Sequence, residues 1–151
     1  KPILTNMAAF PADYLSLRYG AADWASCDSL ENGIITLYNR LLSKIRADYD
    51  LLLEETDIDA ILTGRSTEYG SEIQSLVEHG AESFVADLFR TLRERKIELR
   101  TGKVIFVGGG SLLLRKQIEN SGKIGTAIFV EEISANAAGY GLLYAATKAN
   151  R

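Results

Sequence analysis

The possible folds are narrowed most by a short stretch late in the chain, where the unbroken apolar run Val104-Ile105-Phe106-Val107 leads straight into Gly108-Gly109-Gly110-Ser111. A strand that is apolar on both faces must be covered on both faces, as a parallel strand between helices is. A helical pattern from about Ser111 to Asn120 follows, then a second apolar strand from Ala127 to Val130 and another helical pattern from Ser134. This is a βαβα order. It predicts that strands 103–107 and 126–130 are parallel neighbours, because a short helix joins them.

At such a junction the helix offers unpaired backbone N–H groups, and glycines let a flat or anionic ligand reach the main chain with no Cβ in the way. Three glycines equally suit a tight βα turn that needs positive φ and nothing more, and the triplet alone does not choose. Spacing excludes two common phosphate loops. After Gly110 the chain continues Ser111-Leu112-Leu113-Leu114-Arg115-Lys116, with no Gly-Lys pair where a P-loop needs one, and Leu113 stands where a dinucleotide fingerprint needs its third glycine. Leucines directly after the turn imply a helix end packed into the core, so the glycines suit a base and sugar better than a triphosphate. The candidate binding residues for an adenosine are therefore Gly108, Gly109, Gly110 and Ser111; no residue is assigned a catalytic or metal-ligating role.

Upstream, Ile34, Tyr38, Leu41 and Ile45 recur at helical spacing after Asn32-Gly33, and Leu37 and Leu42 widen the stripe. Thr56 ahead of Asp57-Ile58-Asp59 reads as a capping-box-like start to a short helix that Gly64 stops. A longer helix is expected from about Ser71 to Arg95, with Ile73, Leu76, Val77, Phe84, Leu88 and Leu92 on its apolar side. Gly80 interrupts it at a cost of about 1 kcal/mol relative to alanine, marking either a close helix crossing or a break. Residues 5–32, punctuated by Phe10-Pro11 and Tyr19-Gly20, read as a loop or hairpin excursion.

With 151 residues, 46% hydrophobic and 25% charged, the chain can bury one core, and one domain is the default. A net charge of −3 and the lack of a long Lys/Arg run argue against direct nucleic-acid binding. Cys27 is the sole cysteine, so neither a disulfide nor a thiolate metal site can be assembled from this sequence. No apolar stretch approaches the roughly 18 residues that span a bilayer, and a cytoplasmic protein without membrane contact is the expectation. The opening Lys1-Pro2-Ile3-Leu4 is strand-like and reads as an entry into the middle of something larger.

The segment from Lys103 to Leu114 resembles the adenosine motif of the actin, Hsp70 and sugar-kinase superfamily. Gly33-Ile34-Ile35-Thr36-Leu37-Tyr38-Asn39 and the stretch from Phe129 to Tyr140 are similar to bacterial actin-like ATPases of the ParM/StbA plasmid-segregation type. The resemblance covers roughly residues 28–148. It implies an α/β, actin-like (ribonuclease H-like) partial fold, with 1–151 as one C-terminal nucleotide-binding subdomain and 5–27 as an insertion or irregular segment. It also implies ATP or ADP with Mg2+ bound by the complete protein, self-association into filaments, and an adaptor protein linking them to plasmid DNA. The superfamily grips phosphates with two Asp-and-Gly-rich hairpins; the second is expected just ahead of Lys1, leaving this chain one wall of the site and little ATPase activity of its own.

Other residues carry blander readings. His79 beside Glu78 reads as a solvated helix side chain, Glu131-Glu132 as solvated acids, and Arg93, Arg95, Lys96 and Arg100 as cations at a helix end. Trp24, Tyr14 and Tyr19 suit burial as well as a contact surface. Two further functions stay open: a sugar- or acetate-kinase-like enzyme using the same glycine turn, and a scaffold module that binds no nucleotide.

Overall fold

A computed structural model describes residues 3–7, 12–18, 21–30, 33–65 and 68–130. Its elements in chain order are β1 (Ile3–Met7), β2 (Ala12–Arg18), β3 (Ala21–Leu30), α1 (Ile34–Tyr49), α2 (Glu55–Leu62), α3 (Ser71–Glu94), β4 (Lys103–Val107), α4 (Gly109–Leu113), α5 (Arg115–Asn120) and β5 (Thr126–Phe129). They build one five-stranded sheet in the order β3-β2-β1-β4-β5. β4 and β5 are parallel neighbours, as their short connection requires, with Phe106 opposite Phe129. β1 is also parallel to β4, whereas β1–β2 and β2–β3 are antiparallel. The helix expected from Ser134, and Glu131-Glu132, lie outside the described residues.

Of the loop or hairpin read for residues 5–32, the structure shows the hairpin, and most of 5–27 is regular sheet rather than irregular. β1, β2 and β3 are successive antiparallel neighbours, a meander; Pro11 and Gly20 lie outside the described residues. Three extra residues on β3 enter between the pairs Leu15–Cys27 and Ser16–Asp23, and within this bulge Trp24 is 62% exposed. The sheet carrying the glycine turn has an antiparallel hairpin, β1–β2, beside β4.

The helices follow the apolar periodicity. α1 buries Ile34, Leu37, Leu41 and Ile45 along one stripe. α2 starts two residues earlier than the Thr56 cap would place it. Glu54 is the N-cap and forms a reciprocal capping box with Asp57, because a carboxylate at that position accepts the same backbone N–H that a hydroxyl would. α3 is a single 24-residue helix, so Gly80 is a crossing and not a break. A Cβ there would run into the Leu41 side chain, and its absence lets α1 and α3 touch. His79 is exposed beside Ser75, as a solvated side chain should be.

The core beneath the sheet is aromatic. Phe106 is fully buried, stacks on Phe129 at 5.1 Å and meets Phe89 of α3 at 6.4 Å. At 1.5 Å per residue α3 spans about 36 Å, far more than the roughly 16 Å of a five-residue strand. Phe89 in its C-terminal half packs on Phe106 of the sheet, and along its length Gly80 meets Leu41 of α1 while Asp87 faces Arg40. Asp57 of α2 reaches Tyr69, which places the start of α2 beside the start of α3.

Candidate functional site

β4 ends where the backbone turns sharply. Gly108 sits at φ 95° and ψ 158°, a conformation L side chains resist, so the first glycine is required by the turn itself. Ser111 is fully buried, and its hydroxyl donates to the Gly108 carbonyl at 2.6 Å, closing the turn from inside. It lies outside the lining of the cleft beside the turn. Gly109 and Gly110 instead line an open cleft of about 430 Å³ with Ile34, Tyr38, Asp59, Thr63, Arg65, Leu112 and Leu113. A Cβ added at Gly109 would meet nothing within 4 Å.

Of the four residues expected at the site, the structure therefore brings Gly109 and Gly110 to the cleft, while Gly108 and Ser111 hold the loop in shape. α4 spans only five residues before the chain bends at Leu114, so the turn offers the cleft a flat surface rather than the field of a long helix. Leu114 is fully buried, as the leucine run suggested, but Leu112 and Leu113 are half-exposed and give the cleft an apolar floor. A cleft of this size, apolar with a few convergent polar groups, suits a nucleoside.

The opposite wall was not legible as a site. Tyr38 belongs to the apolar stripe of α1 and Asp59 to the acidic first half of α2, and each has an ordinary structural explanation there. In the fold the Tyr38 hydroxyl donates to the Asp59 carboxylate. The Thr63 hydroxyl donates to the Asp59 carbonyl at 2.6 Å, and Arg65 Nε donates to the Thr63 hydroxyl at 3.0 Å. A phenol within a helix stripe is the one signal that could have pointed here, because a half-buried Tyr hydroxyl needs a partner.

Burial first, then the Asp59 hydrogen bond and charge, push the Tyr38 hydroxyl well above its ordinary value of 10.0. The folded state holds this proton more tightly than the unfolded state. Its contribution is complete below pH 10.0 and is lost as pH rises through the folded value. In alkaline denaturation the wild type should lose stability above that pH more steeply than Tyr38→Phe. Parallel urea titrations check this, and equal slopes would show that the pair does not couple.

No protein-family model matches the chain, and no curated protein matches it. Solved structures do. Bacillus thuringiensis ParM with ADP aligns over 99% of this chain and 48% of its own, at 14% identity and a TM-score of 0.64. An Alp12 filament structure aligns over 99% and 48%, at 17% identity and 0.68. An archaeal actin homolog aligns over 97% and 48%, at 20% identity and 0.63. The chain has the actin-like fold of ParM-type proteins, as its residues had suggested, and spans about half the length of the structures it matches.

Proposed function

We propose that this chain is the adenosine-holding part of an actin-like ATPase that assembles into filaments, with plasmid or DNA segregation as its task. One observation carries the reading: Gly109 and Gly110 line a nucleoside-sized cleft with a polar far wall, and Gly109 is open to it with no side chain in the way. Neighbours of the same fold include ParM with ADP, ParM with ATP and an Alp12 filament, which supports both nucleotide and self-association. In this reading the glycine turn and Leu112 take one face of the base and ribose, and the Tyr38–Asp59 wall takes the other. The phosphates then project towards groups outside this chain.

The described residues do not form a magnesium clamp. Among the described residues no three His, Cys, Asp or Glu side chains gather into a metal site. The β1–β2 link, Ala8-Ala9-Phe10-Pro11, contains neither Asp nor Gly. In-line attack on a terminal phosphate needs a metal-phosphate clamp and a positioned water, and the rest of the complete protein must supply them. ATP and ADP should both bind the complete protein in calorimetric titration, and sedimentation should detect nucleotide-dependent filaments. The isolated chain should hydrolyse ATP little or not at all. Phosphate release from the isolated chain at a rate matching the complete protein would overturn this placement of the chemistry, and absence of adenine-nucleotide binding by the complete protein would favour the scaffold alternative.

A further inference from the structure

A second cleft, of about 290 Å³, opens where α5 packs on α3, and it shares no residue with the cleft beside the glycine turn. Glu78, Glu82 and Ala86 of α3 line one side, and their spacing of four puts them on a single face of that helix. Lys116 and Gln117 of α5, with Lys123 beyond it, line the other. Ala86 is exposed and ends the acidic row with a one-carbon side chain, which leaves the space there open.

Gln117 is only 6% exposed, and its amide oxygen is buried with no hydrogen-bond donor among the described residues. Buried acceptors are almost always paired, so one left open at the edge of a cleft points to a donor that arrives from outside. The last torsion of a glutamine is soft, and the amide turns readily towards a donor placed in the cleft. The charges around it are equally uncommitted. Among the described residues, the ion pairs of α3 and α5 join Asp87 to Arg40 and Arg90, and Arg115 to Glu119; none uses Glu78, Glu82, Lys116 or Lys123. Two acids on one wall and two ammoniums on the other, without contact between them, are complementary to a molecule that carries both charges.

We propose that this cleft binds a free α-amino acid, its ammonium held by Glu78, Glu82 and the Gln117 amide oxygen, and its carboxylate by Lys116 and Lys123. The volume is at the small end for ligand sites, which suits a molecule of that size better than a nucleotide. A simple anion would face the two acids unpaired and a simple cation the two lysines. Only a molecule with both groups answers both walls and completes the amide as well.

The test titrates the complete protein with L-serine, L-glutamate and L-lysine by calorimetry and melting curves, with propionate and propylamine as single-charge controls. At least one amino acid should bind saturably and raise the melting temperature, and neither control should. Ala86→Leu fills the cleft from an exposed helix position without touching a charge, and Glu78→Gln with Glu82→Gln neutralises one wall; each should weaken binding tenfold or more. Gln117→Met keeps the volume and removes the unpaired acceptor, so it should melt no lower than the wild type without amino acid, yet gain less from its addition. Melting curves first confirm that each variant is folded, and any one folded variant suffices. The assignment is overturned by no saturable binding of the three amino acids, by a control that binds as tightly as they do, or by full affinity in a folded Ala86→Leu protein. None of these outcomes touches the adenosine reading, because the two clefts have no residue in common.

Discussion

Gly109→Val in the complete protein is expected to weaken ATP and ADP alike by tenfold or more, about 1.4 kcal/mol each, while leaving the fold intact. Position 109 is the first residue of α4 and does not have the positive φ of Gly108, so a branched side chain is accepted by the backbone. The added Cβ has no protein atom within 4 Å, and its methyls would project into open space beside Gly110 and Leu112. That space is where the nucleoside is placed. Gly108→Val is the matched contrast: at φ 95° it strains the turn by about 1–3 kcal/mol and should lower stability before it affects binding. Melting curves and calorimetry on both variants separate the two effects. Equal losses for both nucleotides are required, because adenosine is common to them. Unchanged affinity in a folded Gly109→Val protein would reduce the glycine turn to a structural device and remove Gly109 and Gly110 from the site.

What the sequence made legible follows from which interactions are local. The apolar runs of β4 and β5, the α1 stripe and the glycine turn each announce themselves within a few residues, and each lies where expected. The β1–β3 meander read no more definitely than as a loop or hairpin, because its place in the sheet depends on pairing with β4, about a hundred residues away in sequence, and because Pro11 and Gly20 punctuate it as they would a loop. Gly80 carried two meanings that only the Leu41 side chain of another helix could separate. The same holds for the site. The glycine wall is contiguous in sequence, whereas Tyr38, Asp59 and Arg65 meet it only after α1 and α2 fold back towards α4. Ser111 shows the limit of motif adjacency: being next to the glycines places it under the turn instead of in the cleft.

Gly125→Ala is expected to cost about 2–4 kcal/mol, the largest stability loss of any single methyl added at the glycines described here. A Cβ at this position would lie deep inside contact distance of the Arg100 carbonyl oxygen, 2.9 Å from the Arg100 carbonyl carbon and 3.2 Å from the Gly102 oxygen. These are backbone atoms, so no rotamer change relieves the overlap. Nor can the two segments simply separate, because Gly125 N donates to Leu99 O at 2.9 Å and Thr126 N donates to Gly102 O at 3.3 Å. Those bonds lead into the pairing of Lys103 with Thr126 that sets the β4–β5 register, and hence the stacking of Phe106 on Phe129. Alanine must break this entry or shift it. Gly122→Ala is the control: its φ of 67° also disfavours a side chain, but a Cβ there meets nothing within 4 Å, so its cost should stay near 1 kcal/mol. Urea unfolding of the two variants against the wild type gives the comparison, and equal losses would show that the Arg100 loop yields.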